Sequence, residues 1–550
     1  MDEFFVRLSA RKGYAIELML TSLFANLLAL ASPLYVIQIL QRYVANGVDG
    51  TLVTLTVGVV IAIILEFLFR MLRNRLASAV SLYADHVLAT RIYSIFNCAK
   101  YDHVNRINKS VRQELMHSLD MIQNAYSAQN ICTVLDLPFA VLFLLMITLL
   151  SPWLALIVCV AITISVLMGW LGQRPISGQS RELNETNIAK NSLVSSTIEN
   201  ADTIRLFNAW PQLQKAWDTI TGKSRELRTW LEGYRGALQN ASQSLTALMT
   251  VAIYAVGARL VVGGHFDIGV LIGTNILAAR ALMPMSRFAQ MGDSLVRAQQ
   301  AEQRLADLQR LPLELVRGTA KRNYTGKIVF HDCAFQYPDM PMPLFESLSL
   351  ELTPGSIVAI KGPNAAGKTS MAKLLLSLME PTRGQILVDD IDLRQVSVVW
   401  WRQQVSYLPQ DLAFMNASLQ DNLIVTNPET APDVLNKMIE LADLREFIDS
   451  SAEGLNTRLN DHGDALSHGI RKRIALARAL MTQGNLVILD EPMDSLDEQG
   501  QAAVVNVLEA LKQQGKTILL FGNDEKTVNY AETIIDLSKK PVPTVTKTNA

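Results

Sequence analysis

Six apolar runs of roughly 20 residues crowd into the first 310 positions of this chain, at 15–40, 51–72, 131–150, 153–171, 242–262 and 268–291. A helix of that length crosses a hydrocarbon core of about 30 Å, and a segment in lipid must satisfy its own backbone hydrogen bonds. The runs therefore read as six membrane helices. Their spacing is uneven. Short turns join the first to the second, the third to the fourth at Ser151 and Pro152, and the fifth to the sixth at 263–267. About 60 to 70 residues separate the second from the third and the fourth from the fifth. These long connections hold Arg73, Arg91, Arg106 and Lys109, then Arg181, Lys190, Arg205 and Lys223, while the N-terminal arm adds Arg7, Arg11 and Lys12. Positive charge marks the cytoplasmic side, and an even number of spans returns the chain there, so both termini are expected in the cytoplasm of a multi-pass protein.

The long connections keep a helical pattern, with Leu76, Val80, Tyr83, Val87, Ile92 and Ile95 at three- to five-residue intervals. The membrane helices are thus expected to run on beyond the bilayer and reverse near 102–110 and 200–210, each reversal forming either a short cross-helix that docks on the C-terminal soluble domain or a solvated turn. Glu66 has Arg70 one turn on as a partner. Arg280 lies half way along the sixth run, where a charge must face a partner or a watery cavity, and it is expected to line one. The first run has no small-residue cleavage site behind it and reads as a retained helix. With 49% apolar residues and a formal charge of −1, the chain has lipid as a partner and no electrostatic reason to bind nucleic acid. Cys98, Cys132, Cys159 and Cys333 are scattered and read as buried thiols, not metal ligands or a disulfide framework.

A linker at 311–325 leads from the membrane domain at 1–310 to a soluble domain at 326–550. There the run Ile357, Val358, Ala359, Ile360 precedes Gly362, Pro363, Asn364, Ala365, Ala366, Gly367, Lys368, Thr369 and Ser370, followed by a helical pattern. The spacing G-x-x-x-x-G-K-[ST] between strand and helix wraps backbone N–H groups round nucleotide phosphates at the positive end of the helix. Lys368 then reaches the phosphates and the Thr369 hydroxyl ligates Mg²⁺. The strand 405–408 ends near Gln410, suited to Mg²⁺ or the attacking water. The apolar strand Leu486, Val487, Ile488, Leu489 ends in Asp490, a metal holder, and Glu491, a base for water. Tyr337, at the end of an alternating stretch 327–337, either stacks on an adenine or packs at a strand end. The fold class is a multi-domain membrane protein: an all-α six-span domain followed by an α/β P-loop nucleotide-binding domain, with ATP and Mg²⁺ as its cofactors.

In order, Tyr337, the loop 362–369, Gln410, the stretch Leu466-Ser467-His468-Gly469-Ile470, Asp490 with Glu491, and Asp497 resemble the motif series of ATP-binding-cassette exporter half-transporters. That resemblance implies two halves, each ATP lying between one half's phosphate loop and the other's signature, to which Ser467 and Gly469 belong. Ala31-Ser32-Pro33-Leu34-Tyr35, the segment 276–284 and Asp443-Leu444-Arg445-Glu446-Phe447-Ile448 look most like bacterial type I secretion ATPases of the inner membrane. Those imply ATP-driven protein export with a periplasmic adaptor and an outer-membrane channel. Only about 15 residues precede the first span, so the peptidase-like domain of some relatives is not expected.

Three departures stand out. Asn523 occupies the position of the family's switch His; its amide can donate to a phosphate oxygen but carries no charge and shuttles no proton, so slow turnover is expected. His468 and Ile470 replace a Gly and a Gln of the signature. Ala365 replaces a common Gly, at little cost if its φ is negative. Because a homodimer would combine both weaknesses in each site, a heterodimer with a more complete half-transporter is expected. The alternatives are a weakly or non-hydrolytic partner subunit and a lipid or small-molecule exporter.

Overall fold

The computed structural model describes residues 2–9, 11–44, 47, 49–107, 109–321 and 323–547, so Asn108 in the expected reversal and the last three positions of the chain lie outside the described residues. It divides into two compact units, residues 1–97 with 106–311 and residues 98–105 with 312–550.

The first unit is helical. Among the described residues, six helical stretches are long and apolar enough to span a membrane: Lys12–Val44, Asp49–Cys98, Glu114–Leu150, Pro152–Glu199, Trp210–Val262 and Ile268–Gln309. At 50 residues, Asp49–Cys98 is about 75 Å long by helical rise, more than twice the hydrocarbon thickness. Its most apolar window buries none of its residues, and Val57, Ile61, Ile64 and Phe67 point outward, as lipid-facing side chains do. Inside, Phe143, Ile147, Leu154, Val158, Ile253, Leu277 and Ala281 form the core. Small residues let the helices approach: a Cβ on Gly273 would lie 2.3 Å from Ile37, and one on Gly257 2.2 Å from Leu271. Of the cysteines, Cys132 and Cys333 are buried as expected, but Cys98 is half-buried and Cys159 is exposed. Cys159 sits on an apolar span, where an outward face meets lipid, so sequence hydrophobicity does not mean burial. Arg7, one of the basic residues of the N-terminal arm, is buried in the helix Asp2–Ser9 and paired with Asp85 at 2.9 Å.

Short helices stand at both reversals, Tyr101–Asn105 and Ala201–Leu206. The first is part of the second unit. Ala99 bridges Leu313, Lys100 reaches Glu380 at 2.5 Å, and the Lys373 ammonium lies 5.4 Å above the Tyr101 ring. The helix Ala201–Leu206 ends in exposed Leu206, and Phe207 and Trp210 just beyond it are exposed too.

The second unit is α/β. Strands β1 (Ile328–Phe335), β2 (Phe345–Leu352), β4 (Arg383–Val388) and β5 (Ile391–Asp392) form an antiparallel sheet in the order β2-β1-β4-β5. Strands β3 (Ile357–Lys361), β6 (Val405–Leu408), β7 (Leu486–Asp490), β8 (Thr517–Phe521), β9 (Thr533–Asp536) and β10 (Thr544–Lys547) form the second sheet, ordered β10-β9-β3-β8-β7-β6. Its β9, β3, β8, β7 and β6 run parallel, and β7 and β8 are buried at every residue, as a sheet covered on both faces requires. Register aligns the strand ends. Ile360 and Asp490 both pair with Phe521, and Leu408 pairs with Leu489. The chain therefore leaves β3, β8, β7 and β6 along one edge, at the carboxyl ends where open α/β sheets bind ligands.

Candidate nucleotide site

From that edge β3 turns into the loop 362–367, and the helix Lys368–Leu375 starts with Gly367 as its N-cap. Gly367 has φ +107°, where a Cβ would also lie 3.3 Å from Leu344, so the turn into the helix needs glycine. Ala365 has φ +63°, which corrects the expectation of a low-cost substitution: the methyl group sits in the left-handed region that L-residues disfavour. Pro363, Asn364 and Ala365 are exposed, and the Ala366 N–H donates to the Pro363 carbonyl at 3.1 Å.

Lys368 is buried, donates to the Gly362 carbonyl at 2.8 Å and lies 3.8 Å from the Glu491 carboxylate. Thr369 Oγ1 stands 3.0 Å from Asp490 Oδ2 and 3.2 Å from Gln410 Oε1, and Gln410 Nε2 donates to Glu491 at 2.8 Å. Five residues drawn from three separate stretches of sequence thus meet within hydrogen-bond reach or ion-pair range. Asp490 is fully buried, and its Oδ1 has no hydrogen-bond partner among the described residues. Burial pushes its carboxyl up to about 6, against the hydrogen bond from Thr369 and the charges of Lys368 and Lys472. An orphaned carboxylate oxygen beside a hydroxyl and an amide oxygen is a hard-oxygen donor set that fits Mg²⁺ sharing its coordination with phosphates and water. The helix N-terminus and Lys368 fit the phosphates.

Asn523 lies at the same edge, but its amide is turned to the loop: Oδ1 accepts the Gly362 N–H at 2.9 Å and Nδ2 donates to the Gly362 carbonyl at 2.8 Å. The expected donor to a phosphate oxygen is here engaged with backbone. Tyr337 is half-buried, packs edge-on to Phe335 with centroids 4.9 Å apart, and shares a 3.0 Å hydrogen bond with Ser370 Oγ. Ser370 thereby faces the aromatic side of the loop rather than the carboxylates.

Ser467 and Gly469 stand apart from this cluster. Ser467 caps the helix His468–Met481 by accepting the Ile470 N–H at 3.4 Å. A Cβ on Gly469 would meet nothing within 4 Å, so packing within the described chain makes no demand for glycine there. Asp497 caps the helix Glu498–Gln513 and pairs with Arg473 at 3.0 Å.

Lys472 is a member of the site that motif spacing misses. It is buried on the signature helix, and its ammonium donates to the backbone carbonyls of Glu491 and of Asp494, the latter at 2.9 Å, with burial holding its pKa below the usual lysine value. Helical periodicity carries the signal, because Lys472 shares a face with Ala475, Leu476 and Ala479, all buried.

The chain matches the family described as ABC transporter over residues 345–494 and the one described as ABC transporter transmembrane region over residues 15–285. Among its relatives are the exotoxin translocation ATP-binding protein PaxB of Pasteurella aerogenes, 26% identical, and the leukotoxin translocation ATP-binding protein LktB of Mannheimia glucosida, 28% identical. The alpha-hemolysin translocation ATP-binding protein HlyB of Escherichia coli is 26% identical. Each alignment covers 95% of this chain and 74% of the relative. The solved structure of a bacterial Atm1-family ABC exporter with ATP bound superposes with a TM-score of 0.84 at 19% identity, covering 98% of this chain and 95% of the other, which shows the shared fold. Six apolar helices followed by an assembled phosphate-loop site, with family matches over 15–285 and 345–494, make the chain a member of the ABC transporters, membrane ATPases with both functional regions on one polypeptide.

Proposed function

We propose that this chain is the ATP-driven permease of a type I protein secretion system in a bacterial inner membrane, with both termini in the cytoplasm, working with a periplasmic adaptor and an outer-membrane channel. The observation that carries the reading is the joined cluster of Lys368, Thr369, Gln410, Asp490 and Glu491 behind six membrane helices, in a chain whose relatives are named for toxin translocation over 95% of its length. The loop 362–369 cradles the β- and γ-phosphates and Tyr337 offers a ring to the base. Thr369, Gln410 and Asp490 would hold Mg²⁺, which would supply charge neutralisation at the phosphates. Glu491 takes the proton of the attacking water, and Gln410, bonded to it, orients that water. Ser467 and Gly469 act on the ATP of a second half-transporter, consistent with a glycine that nothing within 4 Å in its own chain demands.

The amide of Asn523, held on Gly362, favours a second element of the reading: the partner is a different, more complete half-transporter, and this chain's own site turns over slowly. Secretion of a candidate cargo and ATP turnover, measured with the chain, without it and with Glu491→Gln in the assembled complex, test both. Loss of secretion on deletion with unchanged turnover in Glu491→Gln leaves a non-hydrolytic subunit; loss of a lipid or small amphiphile from the outer face, with protein secretion intact, overturns the protein-export reading.

A further inference from the structure

Arg280 is about 18 Å from the start of the helix Ile268–Gln290 by helical rise, and it lines a cavity of about 340 Å³ inside the helical unit. Met283, Pro284 and Arg287 line the same cavity, as the i, i+3, i+4, i+7 spacing of one helix face requires. Pro284 has no N–H to give the Arg280 carbonyl, so the helix is opened where the charge stands. Across the cavity are Arg70, Asn26, Asp136 and Phe143.

The charges do not balance. Glu66 is held by Arg70 at 2.8 Å and reaches Arg280 only at 3.5 Å. Asp136 is taken by Arg73 at 2.6 Å and by the Asn26 amide at 2.9 Å. Arg287 has no acidic partner among the described residues. Four guanidinium groups thus share two carboxylates, an excess of two positive charges in and around a cavity set in a membrane domain, where an unpaired charge is costly unless it meets water or a counter-charge. Asn26 and Asp136, which line the cavity, are buried, as is Arg73 paired with Asp136, so the polar floor of the cavity lies within the bundle and not on the lipid-facing side.

We propose that this cavity is a binding station for acidic side chains of a polypeptide cargo in extended form, with Arg280 and Arg287 as the groups that take the carboxylates. A guanidinium fork matches a carboxylate in two parallel hydrogen bonds. The volume suits a few side chains of an unfolded segment and no folded domain. Phe143, Met283 and Pro284 give apolar contact between the charges, so segments that mix acidic and apolar residues fit best. The inference rests on the reading of the chain as a protein exporter and adds the chemical class its path selects.

The test uses the full chain in phosphatidylcholine nanodiscs and the fluorescence anisotropy of short labelled peptides in which Glu alternates with Leu, compared with peptides carrying Gln or Lys in place of Glu. The Glu peptide is expected to bind about tenfold tighter than the Gln peptide, the scale of one charge-assisted pair. Arg280→Gln and Arg287→Gln should each remove most of that preference while ATP affinity stays as it was. Arg287, exposed and without an acidic partner among the described residues, is the variant that decides if Arg280→Gln fails to fold. Equal binding of the Glu and Gln peptides, or a preference that survives Arg287→Gln, overturns the proposal. So does a preference that vanishes in phosphatidylglycerol discs, which would make the cavity a lipid headgroup site. Selective peptide binding by a chain that secretes no protein overturns the export reading and leaves the site; protein secretion without selectivity does the reverse.

Discussion

Asn523 clasps Gly362 through both of that residue's backbone polar groups, accepting its N–H at 2.9 Å and donating to its carbonyl at 2.8 Å. The clasp fixes the first residue of the phosphate loop, and it engages the amide that would otherwise face the nucleotide. Removing both bonds at about 1 kcal/mol each in Asn523→Ala should weaken ATP binding roughly five- to thirtyfold, with no gain in turnover. Asn523→His replaces the clasp with a group that can carry charge and move a proton, and should raise the maximal rate of phosphate release by about tenfold or more in the assembled complex. An unchanged rate in the His variant would mean that this position does not limit the cycle.

Ala365 stands two residues before Gly367, and its φ of +63° is in the left-handed region, where a Cβ costs about 1 kcal/mol. Ala365→Gly removes that cost. The melting transition of the nucleotide-binding domain, followed in the full chain, should rise by about 2–4 °C. The sign is open to direct contradiction: a fall would show that the freedom given to the unfolded chain outweighs the strain released.

The positions of these residues are legible in the sequence to different depths. Spacing alone places Lys368 and Thr369 at a helix start, because a phosphate loop is a local device of eight residues, and an apolar run ending in Asp490 and Glu491 announces a buried strand with its chemistry at the tip. Six membrane helices are equally plain, since lipid imposes length and composition together. The sign of φ at Ala365 and the direction of the Asn523 amide are not legible, because backbone dihedrals and rotamers are settled by the folded surroundings, and the amide's partner Gly362 lies 161 positions away. Glu66 illustrates the same limit. Its helical partner Arg70 follows from a four-residue spacing, whereas its contact with Arg280 joins positions 214 apart. Lys472 is the instructive miss, a charge on a face whose neighbours three and four residues on are apolar, which periodicity marks as buried.

Lys472 supports the turn that presents Glu491 from behind, so its role should appear in turnover and not in nucleotide affinity. Lys472→Met keeps the volume but leaves the Glu491 and Asp494 carbonyls without that donor, a loss of about 1–3 kcal/mol of local order. The kcat for ATP should drop about tenfold with KM unchanged. Lys472→Gln, whose amide can donate to the same carbonyls without a buried charge, should restore most of the rate. Equal losses in both variants would make the ammonium charge, and not the hydrogen bonds, the operative feature.

Asp490 sets stability against function. Burial raises its carboxyl from 3.8 to about 6, so between those values the folded chain binds more protons than the unfolded one and its stability falls as pH rises. Below pH 4 the penalty is absent in both states; above pH 6 it is present in full, at roughly 2–3 kcal/mol for a shift of that size. Asp490→Asn carries no charge to bury and still offers an oxygen to Thr369. In the absence of nucleotide its melting temperature should therefore exceed that of the parent at pH 7.5, and the difference should shrink towards zero as the pH is brought down to 4. The same substitution removes the carboxylate expected to hold Mg²⁺, so ATP hydrolysis should be lost and the stabilisation that Mg²⁺ with ATP confers on the parent should fall. A variant less stable than the parent at pH 7.5 would show that the buried oxygen without a hydrogen bond is neutralised by the nearby lysines, Lys368 and Lys472, more completely than its raised pKa implies.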